Sequence, residues 1–326
     1  MTTHIPPNPD VNEREKLKPR IGLALGGGGA RGWAHIGVIQ ALQEQGITPA
    51  VVSGCSMGAV IGAAYVSGRL DALTKWACAL HKWDVIRFFD VNPLQPGFID
   101  EKRLQIVFNQ YIAPGDALIE DQEIAFGMVT TRLDNGQEIW LQRGKILDSL
   151  WASIAIPGIF PPRKINDSWY MDGGMVNPVP VSLCRALGAD IVIAVNLNHH
   201  VFSQQNMAKI QELARQKEEN ETKSAEDPNL LDALSQKLKN YTSFFTSNEE
   251  TSLFEPPKLF DTLAKSIDIM QDRITRSRMA GDPPEINLTP RLAHIGILEF
   301  FSAKEAIDIG RQCVETAAAE IKLVLP

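Results

Sequence analysis

The sequence predicts an α/β fold with a mainly parallel central sheet, helices on both faces, and a polar, mostly helical insertion. Between residues 21 and 68 the pattern of strand, glycine turn and helix occurs twice, which is typical of βαβ units. Residues 191–195 read Ile-Val-Ile-Ala-Val, the continuous apolar run of a strand buried on both faces. The chain has 326 residues, 44% hydrophobic and 22% charged. This composition is ordinary for a globular protein and excludes collagen-like, disordered, disulfide-scaffold and multi-pass membrane classes.

Each predicted element follows from a local pattern. Residues 21–25 form an apolar run that ends in four glycines, which indicates a strand followed by a glycine loop. The next helix ends at Gly46, because glycine commonly closes a helix. Residues 49–67 repeat the plan of strand, glycine turn and helix. Further strands are predicted at residues 124–130, 138–141, 169–171, 191–197 and 285–288, and a final helix at 303–323.

The domain organisation that we expect has four segments. They are a polar tail (1–20), a catalytic core (21–198), a polar insertion or lid (199–284), and a strand and helix that complete the core (285–326). The last helix of the insertion has apolar residues at helical spacing, so one face should pack on the sheet domain. A lipid surface is the alternative, with Arg273, Arg276 and Arg278 as interfacial cations. The apolar positions are Leu259, Leu263, Ile267, Met270 and Ile274.

Charge and cysteine content limit the partners. The chain has 32 Lys and Arg against 39 Asp and Glu, a net charge of -7, which is the wrong sign for a nucleic-acid binder. Its four cysteines form no CxxC pair, so neither a zinc site nor a disulfide framework is indicated. No run reaches the roughly 20 apolar residues of a membrane span. We therefore expect a cytoplasmic protein without cofactor or metal, with peripheral contact at the inner face of the membrane as its only approach to lipid.

A candidate nucleophile stands in the second glycine turn. Residues 54–58 read Gly-Cys-Ser-Met-Gly and match G-x-S-x-G, with Ser56 between an apolar strand and a small-residue helix. Such a turn holds the serine backbone in a strained conformation and presents its Oγ at the start of the helix. Gly54 and Gly58 are needed because side chains there would collide with neighbouring backbone. An ordinary strand-to-helix turn is the alternative interpretation.

The first glycine loop, residues 27–32, fits two descriptions. As G-x-G-x-x-G it suggests a dinucleotide site, which requires an acidic residue roughly 20 positions on. Residues 45–70 contain no Asp or Glu, so the acidic residue that a dinucleotide site requires is missing. As a run of glycines the loop leaves backbone N–H groups uncovered, and these can face an oxyanion formed when Ser56 attacks an acyl carbonyl. The N–H of Met57, the residue after the nucleophile, can add another donor.

A serine nucleophile needs a base, and histidine is the usual one. His199, His200 and His294 follow predicted strands, but none sits in a motif. Asp172 is the better candidate, since it follows a short strand and precedes Gly173 and Gly174. Two consecutive glycines indicate a backbone that approaches another group closely.

These three motifs, in this order, resemble the patatin-like phospholipases. The resemblance covers about residues 21–197, and residues 278–284, Arg-Met-Ala-Gly-Asp-Pro-Pro, look like the bacterial RssA-type branch. It implies a three-layer patatin-like fold, a calcium-independent Ser56–Asp172 dyad without histidine, and Arg31 as the basic position of the oxyanion loop. The oxyanion hole would comprise Gly27, Gly28, Gly29 and Met57, and the supporting glycines would be Gly32, Gly54, Gly58, Gly173 and Gly174.

The function expected from these residues is that of a serine acyl hydrolase. It would cleave the acyl esters of phospholipids or lysophospholipids through an acyl-enzyme intermediate. The alternative is a lipid- or protein-binding regulatory module that keeps the same fold with little turnover. Both alternatives leave open whether the protein forms a homo-oligomer.

Overall fold

A mixed eight-stranded sheet organises the part of the chain that the structure describes. The computed structural model covers residues 19–88, 100–201 and 259–325, so residues 1–18 of the predicted tail and 202–258 of the predicted insertion lie outside the described residues. The strand order is β5-β6-β3-β2-β1-β7-β8, and β4 also pairs with β3. Strands β1, β2, β3, β7 and β8 run parallel, while β4, β5 and β6 pair antiparallel, which confirms the mainly parallel sheet. The strands are β1 Ile21–Leu25, β2 Val51–Cys55, β3 Ala125–Arg132, β4 Glu138–Leu141, β5 Arg163–Ile165, β6 Ser168–Asp172, β7 Ile191–Val195 and β8 Ile286–Leu288.

Helices cover both faces of this sheet. Alternate residues of β1 point to opposite sides: Leu23 and Leu25 join one apolar cluster with α1 and α2, whereas Ala24 joins another with Val181 and Cys184 of α7. Both faces of the sheet are therefore buried, which explains why the strand sequences are unbroken apolar runs. The helices are α1 Ala34–Glu44, α2 Met57–Val66, α3 Leu70–Cys78, α4 Lys82–Phe88, α5 Glu101–Tyr111, α6 Ile146–Ser153, α7 Val181–Ala186, α8 Leu259–Gly281, α9 Ala303–Thr316 and α10 Ala318–Val324.

Some element boundaries differ from the predicted ones. Strand β2 runs two residues farther than expected, because Gly54 and Cys55 continue the ladder opposite Met128 and Val129. The predicted final helix divides at Ala317 into α9 and α10. Helices α5, α6 and α7 and the short strand β5 were not predicted. Strand β8 returns to the sheet beside β7, as expected.

Helix α8 packs on the core through a face that matches the predicted one only in part. Of the apolar positions whose side chains are described, only Ile267 is buried, whereas Leu263 and Met270 are 44% and 43% exposed. The buried face instead carries the polar residues Gln271 and Thr275. The helix does pack on the core through Ile267, but the contact is more polar than the apolar spacing indicated, because polar side chains can be buried when they are hydrogen-bonded.

The arginines considered as lipid-facing cations are also partly engaged by the protein. Arg278 donates from Nε to the carbonyl of Val176 at 2.7 Å and pairs with Glu138. Arg276 pairs with Asp272 at 2.9 Å, one helical turn earlier. Within the described ranges, none of the helices combines the length and the apolar character that crossing a bilayer requires.

Candidate active site

Ser56 is the single residue between strand β2 and helix α2, and its backbone is strained. Its φ and ψ are 53° and -124°, a positive φ that non-glycine residues rarely adopt, and it is only 3% exposed. Strain of this kind costs on the order of 1–3 kcal/mol and persists only where neighbouring structure holds it. The Ser56 N–H donates to Ser153 Oγ at 3.1 Å, and that hydroxyl donates to the Val129 carbonyl at 2.8 Å. Ser153 therefore ties the strained turn to strand β3.

Glycines on either side of Ser56 allow the turn to close. A Cβ at Gly58 would overlap the carbonyl oxygen of Leu25, and one at Gly54 would lie 2.6 Å from Ala59 Cα. Both obstacles are backbone atoms, which cannot move aside as a flexible side chain can. The expectation that these glycines permit close backbone contact is confirmed.

Strand β3 brings Asp172 next to the nucleophile. Cys55, the residue before Ser56, lies opposite Val129, and Asp172 lies opposite Thr130, the next residue of β3. Strand β4 pairs with the same two β3 residues, so β2 and β6 must share the other edge of β3. The end of β2 and the end of β6 therefore meet there, although their residues are more than a hundred positions apart in the sequence.

The Asp172 carboxylate is buried with one oxygen unpaired. Oδ1 accepts a hydrogen bond from the Gly174 N–H at 2.7 Å, while Oδ2 accepts no hydrogen bond of normal geometry from the described residues. Burial raises the pKa of Asp172 from 3.8 to about 6, and the Ser56 hydroxyl and the Gly174 N–H offset part of that rise. The Ser56 hydroxyl is thus near enough to the carboxyl to act on its pKa, although no hydrogen bond of normal geometry joins the two side chains.

The oxyanion loop lies against the nucleophile turn, as the parallel pairing of β1 and β2 predicts. A Cβ at Gly27 would be 3.3 Å from the Ser56 Cβ. The Gly27 N–H, however, donates to the Pro178 carbonyl at 2.9 Å, so the expectation that it faces an oxyanion needs correction. No partner within the described ranges accepts from the N–H groups of Gly28, Gly29 or Met57. These three remain as candidate donors.

Arg31 connects the oxyanion loop to α8. It is 2% exposed; Nη1 donates to Asn198 Oδ1 at 3.0 Å, and Nη2 contacts both oxygens of Asp268 at 2.8 and 3.0 Å. Asn198 Nδ2 in turn donates to Gln271 Oε1 at 2.9 Å. The Gln271 amide lies close against Gly174, beside the Asp172 turn. The polar face of α8 is buried because it joins this network.

An apolar cavity of about 120 Å³ ends at Ser56. Among the described residues that line it, Ser56 is the one that bears a hydroxyl, and none is a histidine or carries a charge. The lining comprises Gly29, Trp33, Ser56, Met57, Val60, Leu73, Trp76, Leu80, Val85, Phe88, Leu104, Val107, Phe108, Ile112, Ile154, Ile156, Phe160 and Phe300. Ser56 therefore faces a space suited to an alkyl chain.

Histidines take other roles in this structure. His294 contacts Glu305 at 2.8 Å. His35 is fully buried in α1, its Nε2 contacts the Gly26 carbonyl at 2.7 Å, and burial lowers its pKa to about 4. It is therefore neutral at pH 7 and supports the start of the glycine loop. In the described ranges, no cluster of His, Cys, Asp or Glu side chains is suited to hold a metal ion.

Several site residues were not singled out from the sequence. Ser153 lies in a segment that resembles a family segment, but nothing in its pattern indicated that its hydroxyl supports the nucleophile turn. Thr130 and Thr131 donate to the carbonyls of Met171 and Asp172 at 2.7 and 2.9 Å and fasten the end of β6. Such contacts join residues that are distant in sequence, so only a covariation signal could have found them.

Comparison with known proteins agrees with these motifs. The model of the patatin-like phospholipase family matches residues 23–185. An uncharacterised NTE family protein of Mycobacterium tuberculosis is 30% identical over 91% of both chains. A lysophospholipase of Aspergillus fumigatus is 26% identical over 94% of this chain, and one of Saccharomyces cerevisiae is 33% identical over 54% of it. The matches span only 19% and 11% of those fungal proteins. The chain belongs to the patatin-like phospholipase family.

Proposed function

We propose that this protein is a serine acyl hydrolase that cleaves the acyl esters of phospholipids or lysophospholipids with Ser56 as nucleophile and Asp172 as base. The observation that carries the proposal is the apolar cavity that ends at Ser56, beside a buried carboxylate with an unpaired oxygen. An alkyl chain in this cavity would place its ester carbonyl at the nucleophile. The acyl chain would then bind directly beside the serine that attacks its ester.

Acylation begins with proton transfer from Ser56 Oγ to Asp172. A carboxylate with a pKa of about 6 is a stronger base than an ordinary Asp and is still mostly ionised at pH 7. Oγ attacks the ester carbonyl, and the resulting oxyanion accepts hydrogen bonds from the N–H groups of Gly28, Gly29 and Met57. Asp172 then gives its proton to the leaving alcohol as the acyl-enzyme forms.

Deacylation repeats these steps with water. Asp172 takes a proton from the water that attacks the acyl-enzyme, and it returns a proton to Ser56 Oγ as the fatty acid leaves. Fixed N–H donors next to a helix start can stabilise the oxyanion at both stages. Since the protein's own donors carry this role, we expect EGTA to leave the rate unchanged.

A single-chain substrate fits this site best. The cavity next to Ser56 is of a size for one alkyl chain, and the fungal relatives are named lysophospholipases. We therefore place lysophospholipids ahead of two-chain phospholipids.

Five expectations from the sequence stay predictions. They are the cytoplasmic location, peripheral membrane contact, the RssA-type branch, any homo-oligomer and the four-segment domain division.

Hydrolysis of lysophosphatidylcholine by the purified full-length chain tests the proposal. The wild-type protein should release fatty acid, and Ser56→Ala and Asp172→Asn should each lower kcat by about 10³-fold or more. Ser67→Ala, a serine at the end of the same helix α2, is the matched control and should keep wild-type activity. Retention of full activity by Ser56→Ala or Asp172→Asn would refute the dyad.

Labelling with a fluorophosphonate separates the enzyme from a binding module. An acyl hydrolase should be labelled at Ser56, and Ser56→Ala should not be labelled. A folded wild-type protein that neither reacts with the probe nor hydrolyses esters would instead favour the lipid- or protein-binding module.

A further inference from the structure

We propose that Trp76 closes the far end of the cavity and sets the length of acyl chain that the protein accepts. The inference rests on the proposed function and adds to it a residue that determines substrate choice. Its basis is the relation between the cavity at Ser56 and a second depression on the surface.

A surface groove of about 390 Å³, formed by described residues of α3, α4 and α5, lies directly behind the cavity. Ser56 contributes only to the cavity, and Ile106 only to the groove. Four residues line both spaces, and we call them the cavity wall: Trp76, Leu80, Phe88 and Val107. The cavity and the groove are therefore separated by the thickness of these side chains.

The burial of the cavity wall agrees with this position. Trp76, Phe88 and Val107 are half-buried, whereas Leu80 is buried. Leu73, which lines the cavity but not the groove, is only 1% exposed. Half-burial is expected of side chains with the cavity on one side and the groove on the other.

Trp76 is the largest side chain of the cavity wall and is held by aromatic neighbours. Its ring stacks on Tyr111 at 5.6 Å between centroids and meets Phe88 and Trp33 edge-on at 6.2 and 6.3 Å. Contacts of this geometry are favourable beyond the area that they bury. The indole is thus fixed in place, and an acyl chain that reaches it must stop or displace it.

Removal of the indole should join the cavity to the groove. Burying one methylene is worth about fourfold in affinity, so kcat/KM should rise by about that factor per methylene until the chain reaches the cavity wall. Beyond that length the wild-type rate should level off or fall. In Trp76→Ala the rise should continue, and two further methylenes should give roughly a fifteenfold advantage over the wild type.

The test measures kcat/KM for p-nitrophenyl esters from butyrate to palmitate in one detergent mixture. Trp76→Ala should shift the preferred chain length upward, measured as the ratio of its kcat/KM for long esters to its kcat/KM for butyrate. Trp83→Ala is the matched control, because this tryptophan is 55% exposed and lines neither space. Trp76→Phe and Val107→Ala are smaller changes in the cavity wall and should shift the preference in the same direction, which keeps the test decisive if Trp76→Ala does not fold.

Two results would overturn the inference while the proposed function stands. One is an unchanged chain-length preference in folded cavity-wall variants that still hydrolyse butyrate. The other is an equal shift in Trp83→Ala. If the wild-type protein hydrolyses none of the esters, the proposed function is refuted and the inference with it.

Discussion

Replacing Asp172 by Asn should abolish hydrolysis and also remove a pH-dependent loss of stability. The Asp172 carboxyl is completely buried, and burial raises its pKa from 3.8 to about 6. In the unfolded chain the same carboxyl titrates near its ordinary value. The folded protein therefore holds the Asp172 proton more tightly than the unfolded chain does.

The size of this effect follows from the pKa shift. A rise of about 2 units corresponds to about 3 kcal/mol in the free energy of unfolding. Below about pH 4 the contribution of the protonated group is fully present, and it is lost as the pH rises through about 6. Asn does not titrate, so the stability of Asp172→Asn relative to wild type should increase by about 3 kcal/mol between pH 4 and pH 7. An amide without an acceptor adds a penalty that does not depend on pH.

Urea denaturation of wild type and Asp172→Asn from pH 4 to pH 8 measures this difference. Asp134→Asn changes an exposed carboxylate and serves as the control. The kcat/KM of the wild type should fall below about pH 6, because only the ionised carboxylate acts as base. A pH-independent stability difference, or full activity at pH 4, would contradict the raised pKa.

Two further substitutions test the supports of the site. Ser153→Ala removes the acceptor of the Ser56 N–H. It should therefore cost about 1–3 kcal/mol of stability and lower kcat roughly tenfold or more. Ser149→Ala on the same helix is the control and should not affect kcat. Urea denaturation and ester kinetics measure both, and equal kcat in the two variants would refute this role. Asp268→Asn leaves the buried Arg31 without its carboxylate and should cost about 3 kcal/mol, measured by urea denaturation. If Asp268→Asn loses no more stability than Asp190→Asn, a substitution at an exposed position, a significant contribution of the buried Arg31–Asp268 pair is refuted.

Helix α8 shows where prediction from the sequence stopped. Its helical character was predicted, because apolar and polar residues alternate with helical spacing. The face that packs on the core was predicted only in part, because it is determined by hydrogen bonds to residues distant in sequence. Arg31 lies 237 residues from its partner Asp268, and Asn198 lies 73 residues from its partner Gln271. The buried polar network outweighs the burial of Leu263 and Met270, which stay exposed.

The candidate site was predictable where the requirement is local. Gly54, Ser56 and Gly58 act within one turn, so their spacing carries the information. Gly27 shows the opposite case, since its N–H is taken by Pro178, a residue about 150 positions away. A run of glycines indicates uncovered N–H groups but not which of them stays free.

The sequence by itself determined the α/β class, the two glycine turns and the position of Ser56 as candidate nucleophile, because these depend on apolar runs and on glycines within a few residues. Only the tertiary structure decided that Asp172 stands beside Ser56, since strand β3 aligns the ends of β2 and β6. It also decided the raised pKa of Asp172 and the apolar cavity at Ser56. Burial and cavities arise from the packing of residues remote in sequence, and no local pattern records them.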